Sequence, residues 1–405
     1  MIHSRINPGL LSAMSSRRTP GSSNLLTPLD SGSGAQRGIR RSDGASMSSD
    51  ILNRQRTLHF LVKWSLAVCL LLNLSACSHD AEPVHQEQIL VFGTLVDITL
   101  WGVNDDTAQQ ATAAVIHTLN KLHHRWHAWE PGPLTGINAR LARGETVTLE
   151  PDQVEVIRGA QELSHQSGDL FNPAIGDLIG LWGFHSDDRP STIPPPKPQA
   201  IQKLVAQHPT MEDLHLDGNK LRSDNPAVQF DFGAYVKSYG VDRAIDQLRQ
   251  HGVANAIVNA GGDLRAIGSR GDRAWHIGIR DPRGPGVLAS VEIRGDESVF
   301  TSGDYERFFV YQGKRYHHII DPRSGYPPDG AMSATVIYPG GGVGGGASTA
   351  LMVAGPADWL KVVRGMHLKQ AMLVAADRKV YLTPDLAKRI HFEVDPPPTV
   401  IIGQP

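Results

Sequence analysis

The chain has 405 residues, 40% of them hydrophobic and 20% charged, which suffices for one large domain or two ordinary ones with a real core. A formal net charge of −2 excludes a protein that works mainly by neutralising nucleic-acid phosphate, so no nucleic-acid partner is expected. Only two cysteines, Cys69 and Cys77, are present, which excludes a disulfide-stapled fold and a cysteine-ligated zinc site.

Residues 1–50 are rich in Ser, Gly, Arg and Pro without apolar periodicity. They read as disordered, or as upstream of a start at Met47. Residues 51–77 have the layout of an export leader: Arg54, Arg56 and Lys63, then an apolar run from Trp64 to Leu74, then small residues. An uncleaved short anchor is the other reading of that run. The ending Leu74-Ser75-Ala76-Cys77 resembles a bacterial lipobox, which implies lipidation at Cys77. Residues 78–88 are polar and read as a tether, which leaves 89–395 as the folded domain.

Within that domain, Val91 to Leu100 has strand alternation, with Val96, Ile98 and Leu100 on one face. Asp105-Asp106-Thr107 starts a helix on which Val115, Leu119, Leu122 and Trp126 share a face. Pro151 opens a second helix that stops at Gly168, and a third runs from about Ala234 to Gln250. Residues 185–200 form a Pro-rich exposed loop between them. Short strands follow at Asn255–Asn259, Trp275–Ile279, Val291–Ile293, Phe308–Tyr311, Tyr316–Ile320 and Ala334–Tyr338. A glycine-rich run, 340–346, leads into an apolar helix over Ala347–Ala354, and a strand at Ala371–Ala375 and a short helix near Ala387 close the domain. Clustered short strands with helices outside predict an α+β fold with mixed, largely antiparallel sheets.

Four constellations carry chemistry, each with a bland alternative. His123, His127 and Glu130 have the spacing of a metal pair, or they decorate a solvated helix end. Gly342 to Ala347 fits a phosphate-cradling G-x-G-x-x-G/A turn, or it is glycine-rich low complexity. Asp231 and Lys237 flank a strand-to-helix turn, where the lysine would hold a phosphate, or they form a surface ion pair. His318 and Asp321 lie in turn-forming segments and suit acid–base roles, or each simply shapes its turn.

In combination these segments resemble the FAD:protein FMN transferases, the ApbE-like flavin-transfer lipoproteins. The resemblance runs through Phe92-Gly93-Thr94, Trp126 to Asn138, Ser167-Gly168…Phe171-Asn172-Pro173…Leu181-Trp182-Gly183-Phe184, and Asp231…Lys237…Asp242. It continues through Val258-Asn-Ala-Gly-Gly-Asp263, Thr301-Ser-Gly-Asp-Tyr-Glu306 and His318-Ile-Ile-Asp-Pro-Arg-Ser-Gly325. It implies an ApbE-like fold and an enzyme that cleaves FAD, esterifies FMN to a Thr or Ser hydroxyl of a respiratory or redox membrane subunit, and releases AMP. By motif position, Phe92, Trp129, Phe171, Asn172, Pro173, Asp231, Lys237 and His318 would line the FAD pocket. His318, Asp321 and Thr349 would serve catalysis. The Ala234 carbonyl, position 345 and Thr349 would face Mg²⁺ at the pyrophosphate. The lipobox implies a lipid anchor through Cys77 at the periplasmic face of a bacterial membrane.

The chain departs from that pattern where it matters. Gly345 stands where the family carries a metal-binding Asp, and Ser238 replaces the Gly that follows the lysine. Asn172 replaces an Asp and Phe92 a Met. Losing a hard anionic ligand weakens a Mg²⁺ site, so an FAD-binding relative without transfer, and an FAD pyrophosphatase, stand as alternatives. On the sequence alone, Gly345→Asp is expected to restore the ligand, and Asp304 or Asp329 are the candidates to substitute for it.

Overall fold

The computed structural model describes residues 83–184, 193–342 and 344–404, all within one compact unit, Asp80–Pro405. The segment expected to be a leader, with the expected lipidation residue Cys77, and residues 185–192 of the Pro-rich loop lie outside the described residues. No described helix is long and apolar enough to cross a membrane.

The framework is a nine-stranded sheet whose strands lie side by side in chain order. They are β1 (Val84–Val91), β2 (Thr94–Trp101), β3 (Ala256–Ala260), β4 (Asp263–Ile267), β5 (Glu297–Gly303), β6 (Ala331–Pro339), β7 (Gln370–Ala375), β8 (Val380–Leu382) and β9 (Val400–Ile402). Every neighbouring pair is antiparallel except β8 and β9, so the expected mixed, largely antiparallel arrangement holds. Each strand pairs with its predecessor in the chain, and the helices and small hairpins are insertions between them.

The first insertion, between β2 and β3, carries α1 (Asp105–Trp126), α2 (Pro133–Ala142), α3 (Pro151–Gln166), α4 (Gly176–Trp182), α5 (Pro198–Val205) and α6 (Gly233–Gln250). Asn104 caps α1 by accepting from the Thr107 amide at 2.8 Å. The apolar stripes of α1 and α6, including Val115, Leu119, Ile245 and Leu248, bury against Val96, Ile98 and Leu100 of β2. Between β6 and β7 runs α7 (Gly344–Gly365), broken at Gly355 (φ 60°, ψ −175°) just before Pro356, one residue after the predicted stop at Ala354. Its first half packs with Leu163 of α3, Phe171, Phe230 and Phe300 in the largest core. The opposite face of the sheet is covered by the hairpin Trp275–Arg280/Val287–Ile293 and by Leu386 of α8 (Pro384–Ala387).

Several boundaries move. The strand predicted over 91–100 is a hairpin, β1 and β2, whose two-residue turn is Phe92 (φ 56°) and Gly93 (φ 69°). Two consecutive left-handed residues form the tight turn that matches strand twist. Residues 84–88, expected to be tether, are therefore sheet, and β9 carries the domain past residue 395. The strand expected over 316–320 ends at His317, where Lys314–His317 pairs with Phe308–Tyr311. Helices α2, α4 and α5 lie where no helix was predicted. α4 has seven residues, two of them Gly, too few for a period to register.

α4 ends in an aromatic cluster that supports the site described next. Trp182 is fully buried among Phe184, Phe309, Tyr316 and Tyr326, and its indole N–H donates to the Gly325 carbonyl at 2.8 Å. Phe184 in turn meets the His318 ring edge-on at 6.4 Å. Trp182→Ala is expected to lower the unfolding free energy by about 3–5 kcal/mol, the usual cost of emptying a large aromatic site. Denaturant unfolding checks this, and a loss below about 1 kcal/mol would contradict the placement of Trp182.

Candidate functional site

A cleft opens between the β1–β2 turn, the segment 170–175, the start of α6, the start of α7 and the segment 301–307. Ten of the predicted site residues line it: Phe92, Phe171, Asn172, Pro173, Asp231, Ala234, Lys237, His318, Gly345 and Thr349.

The floor is the first turn of α7, and glycine makes it possible. A Cβ at Gly344 would stand 1.7 Å from the Phe300 ring, and one at Gly345 would stand 2.1 Å from Ser238 Oγ and 2.6 Å from the Ala234 carbonyl. At Gly346 it would meet Leu163 at 3.0 Å and Phe171 at 3.3 Å. The glycines are thus neither low complexity nor a Rossmann turn, since the strand before them, β6, has antiparallel neighbours. They let a helix start press into the core with Gly345 and Thr349 on the cleft, and a helix start suits an anion. Thr349, one turn on, lies 3.3 Å from Ser302 Oγ across the cleft wall.

One wall carries charge. Asp263, at the start of β4, is buried, with Ser238 Oγ donating to it at 3.0 Å and Lys237 Nζ 3.7 Å away. Burial pushes its carboxyl up, against the pull of Lys237 and Ser238. Asp231 accepts from the Gly233 amide at 2.8 Å, a local turn bond just ahead of α6. Burial raises this carboxyl too, opposed by the Gly233 N–H, Arg307 and His127. His318 Nδ1 lies 3.3 Å from the Arg307 carbonyl oxygen, a partner that only an N–H can satisfy, so Nδ1 carries the proton and Nε2 keeps its lone pair. Burial, then the positive charge of Arg307, His317 and Lys237, holds His318 well below the ordinary histidine value.

Other residues were placed by the turn they make. Asn172 is engaged by backbone on both sides, donating to the Pro209 carbonyl and accepting from the Ala174 amide, each at 2.9 Å. It thereby presents Phe171 and Pro173 to the cleft. Phe92, in its left-handed turn, reaches α6 at Gly240, where a Cβ would lie 3.0 Å from its ring.

Two expected site residues lie elsewhere. Trp129 lines an adjoining groove that shares Phe92, Gly93, Asp231 and Arg307 with the cleft, and its indole packs on Gly180 of α4. Asp321 does not line the cleft. Its carboxylate accepts from the Arg323 amide and guanidinium at 2.9 Å, so it shapes the 321–326 turn, the bland alternative. His127 likewise shapes a turn, its Nδ1 accepting from the Glu130 amide at 3.0 Å, and among the described residues no group of three His, Cys, Asp or Glu is arranged for a metal. Asp242 turns away to Arg265, 2.8 Å distant. Residues given no individual role from the sequence are Asp263, Thr301, Ser302 and Arg307, all on the cleft. Thr301 and Ser302 belong to a turn-forming segment of site-lining composition, Asp263 to the Gly-Gly-Asp263 segment of the resemblance, and Arg307 follows the Thr301–Glu306 segment directly.

The donor set for Mg²⁺ does not fit as the resemblance implied. The Ala234 carbonyl and Thr349 hydroxyl face the cleft, yet position 345 has no side chain and its Cβ direction is filled by Ser238. Neither proposed substitute serves: Asp304 is held by both nitrogens of Arg283 and does not line the cleft, and Asp329 is exposed away from it.

A profile of the ApbE family matches residues 92–373. The FAD:protein FMN transferase of Rhodobacter capsulatus is 37% identical over 309 residues, 76% of this chain and 59% of that protein, so the chain spans less than two thirds of that relative. The FAD:protein FMN transferase of Vibrio cholerae is 28% identical over 321 residues, 78% of this chain and 94% of that protein. Among solved structures, the ApbE protein of Thermotoga maritima matches with a TM-score of 0.69 at 27% identity, covering 77% of this chain and all of its own. The flavin transferase ApbE from Vibrio cholerae matches at 0.65 and 26% identity, covering 76% of this chain and 100% of its own. By the length of the profile match and the agreement in fold, the chain belongs to the ApbE family.

Proposed function

We propose that the cleft binds FAD and transfers its FMN half to a Ser or Thr hydroxyl of an acceptor protein, releasing AMP. The observation that carries the reading is one cleft holding an aromatic wall (Phe92, Phe171), a helix start, two cations (Lys237, Arg307) and a neutral imidazole. Aromatic side chains suit a planar ring. The start of α7 and the two cations suit a pyrophosphate. Membership of a family whose curated relatives are FAD:protein FMN transferases supports it.

Each residue has a part in the balance of the reaction. The acceptor oxygen forms a bond to the FMN phosphorus, and the bond from that phosphorus to the oxygen bridging to AMP breaks, AMP leaving with the electron pair. The hydroxyl proton passes to Nε2 of His318, which is unprotonated in the resting site. Lys237 and Arg307 hold the negative charge as it shifts onto the leaving phosphate. Thr301, Ser302 and Thr349 offer hydroxyls to the phosphate oxygens. Magnesium is the cation the resemblance calls for, and no step here is routed through it, because Gly345 supplies no carboxylate. That same feature favours a second reading, an FAD-binding relative without transfer. The acceptor is proposed to be a redox subunit at the periplasmic face of a bacterial membrane, with this chain anchored beside it through a lipid on Cys77.

Intact-mass spectrometry of a respiratory-subunit domain, incubated with the purified protein and FAD, is expected to show the gain of one FMN ester with AMP released in equal amount. Free FMN without a mass gain would indicate a pyrophosphatase, and FAD binding with no turnover would indicate the second reading.

The pH profile tests His318. Its conjugate acid is held below the ordinary value, so the lone pair persists through pH of about 6.5, where a free histidine is half protonated. Transfer is expected to stay flat down through that pH and fall only at more acidic values, and His318→Asn is expected to abolish both the activity and the acid limb. A break at or above that pH would contradict the role.

A further inference from the structure

The two departures at positions 238 and 345 meet in one small volume. Ser238 is fully buried on α6, one turn after Ala234, and its hydroxyl donates to Asp263 at 3.0 Å. A Cβ built at Gly345 would stand 2.1 Å from that hydroxyl, 3.3 Å from Ser238 Cβ and 2.6 Å from the Ala234 carbonyl. Distances below 3.0 Å are not sustained by real carbon contacts, so the serine and any side chain at 345 exclude each other as packed here. The hydroxyl occupies the direction along which a residue at 345 would send a carboxylate toward the Ala234 carbonyl.

Three carboxylates, Asp231, Asp263 and Glu306, and two cations, Lys237 and Arg307, line the cleft. Asp263 accepts from Ser238 and has Lys237 Nζ 3.7 Å away, so its carboxylate is already occupied by neighbours. A divalent cation needs several oxygen ligands, and its protein sites draw on carboxylates. Of the groups that the resemblance assigns to the cation, only the Ala234 carbonyl and the Thr349 hydroxyl remain.

We infer that Ser238 and Gly345 are one coupled exchange that fills the seat of a divalent cation, so that this chain holds its dinucleotide without one. The inference rests on the flavin reading of the cleft. It also corrects the expectation that Gly345→Asp by itself restores a metal site: the new side chain would first have to displace Ser238. The double variant Ser238→Gly/Gly345→Asp clears the nearer obstruction. A Cβ at 345 would still stand 2.6 Å from the Ala234 carbonyl, so the start of α7 must also shift, and the glycine-rich stretch before it, where Gly340 and Gly342 have φ of 72° and 110°, is where the backbone has that freedom.

The test is Mn²⁺ binding by electron paramagnetic resonance on the purified protein, with and without saturating FAD, together with FAD titration in EDTA and in excess Mg²⁺. The parent is expected to bind no stoichiometric Mn²⁺, and its FAD affinity to be the same in both buffers. Gly345→Asp alone is expected to gain no Mn²⁺ and to lower the melting temperature. The double variant is expected to bind one Mn²⁺ at least about tenfold more tightly than the parent, a difference of about 1.4 kcal/mol. One tightly bound Mn²⁺ in the parent, lost in Thr349→Ala, would overturn the inference whether or not the double variant folds. So would a single Gly345→Asp variant that binds Mn²⁺ as well as the double. Failure of FAD to bind in either buffer would overturn the flavin reading instead, and the parent's Mn²⁺ titration would still decide this one.

Discussion

The close approach of the α7 start to α6 and β5 organises the site. Gly344 and Gly345 bring a helix terminus against the Phe300 ring and the Ser238 hydroxyl at distances that no side chain permits, and at Gly346 a Cβ would be tight against Phe171 at 3.3 Å. That contact does two things at once. It closes the largest hydrophobic core, and it brings the first turn of a helix, through Gly345 and Thr349, to the cleft. The chain-order sheet makes the contact reproducible, because β5 and β6 pair over their full length and so fix where α7 begins relative to Thr301 and Ser302. Function and folding therefore press on the same few atoms, and a change at 344–346 disturbs both.

Around that floor the polar groups are held by neighbours rather than left free. Asp231 is tied to the Gly233 amide, Asp263 to Ser238 and Lys237, and His318 to the Arg307 carbonyl. Each tie sets a protonation state or a direction before any substrate arrives, which lowers the reorganisation a charged transition state would demand. The aromatic cluster under Trp182 extends this support outward, since Phe184 bears on His318 and its backbone carbonyl accepts from Arg307 at 3.1 Å.

The regular elements were legible wherever period was strong. α1, α3 and α6 showed buried stripes at helical spacing, and the alternation of Trp275, Ile277 and Ile279 is the alternation of the sheet. The site residues were legible through motif resemblance, and most gathered in one cleft. What was not legible depends on contacts between distant segments. Phe92 looks like a strand residue and forms a left-handed turn, because hairpin twist and the space against Gly240 outweigh its local preference. Asp321 looks like a catalytic acid and is occupied by Arg323, two residues away. The glycine run looked like a Rossmann turn or mere low complexity, and its meaning lies in Phe300, Ser238 and Phe171, none of them nearby in sequence. Ser238 occupies the space on which the consequence of Gly345 depends, and that meeting of α6 with α7 is a contact between residues more than a hundred positions apart.

The account stands on the cleft being the flavin dinucleotide site, with the pyrophosphate over the α7 start. A crystal structure of the protein with FAD tests this most directly. The account predicts the pyrophosphate within hydrogen-bond distance of the α7 amides and Lys237, His318 Nε2 facing the FMN phosphorus, and the ring system against Phe92 or Phe171. FAD bound elsewhere, for example in the apolar pocket lined by Leu178, Leu204 and Arg323, or lying in the cleft with its phosphates turned away from α7, would contradict it.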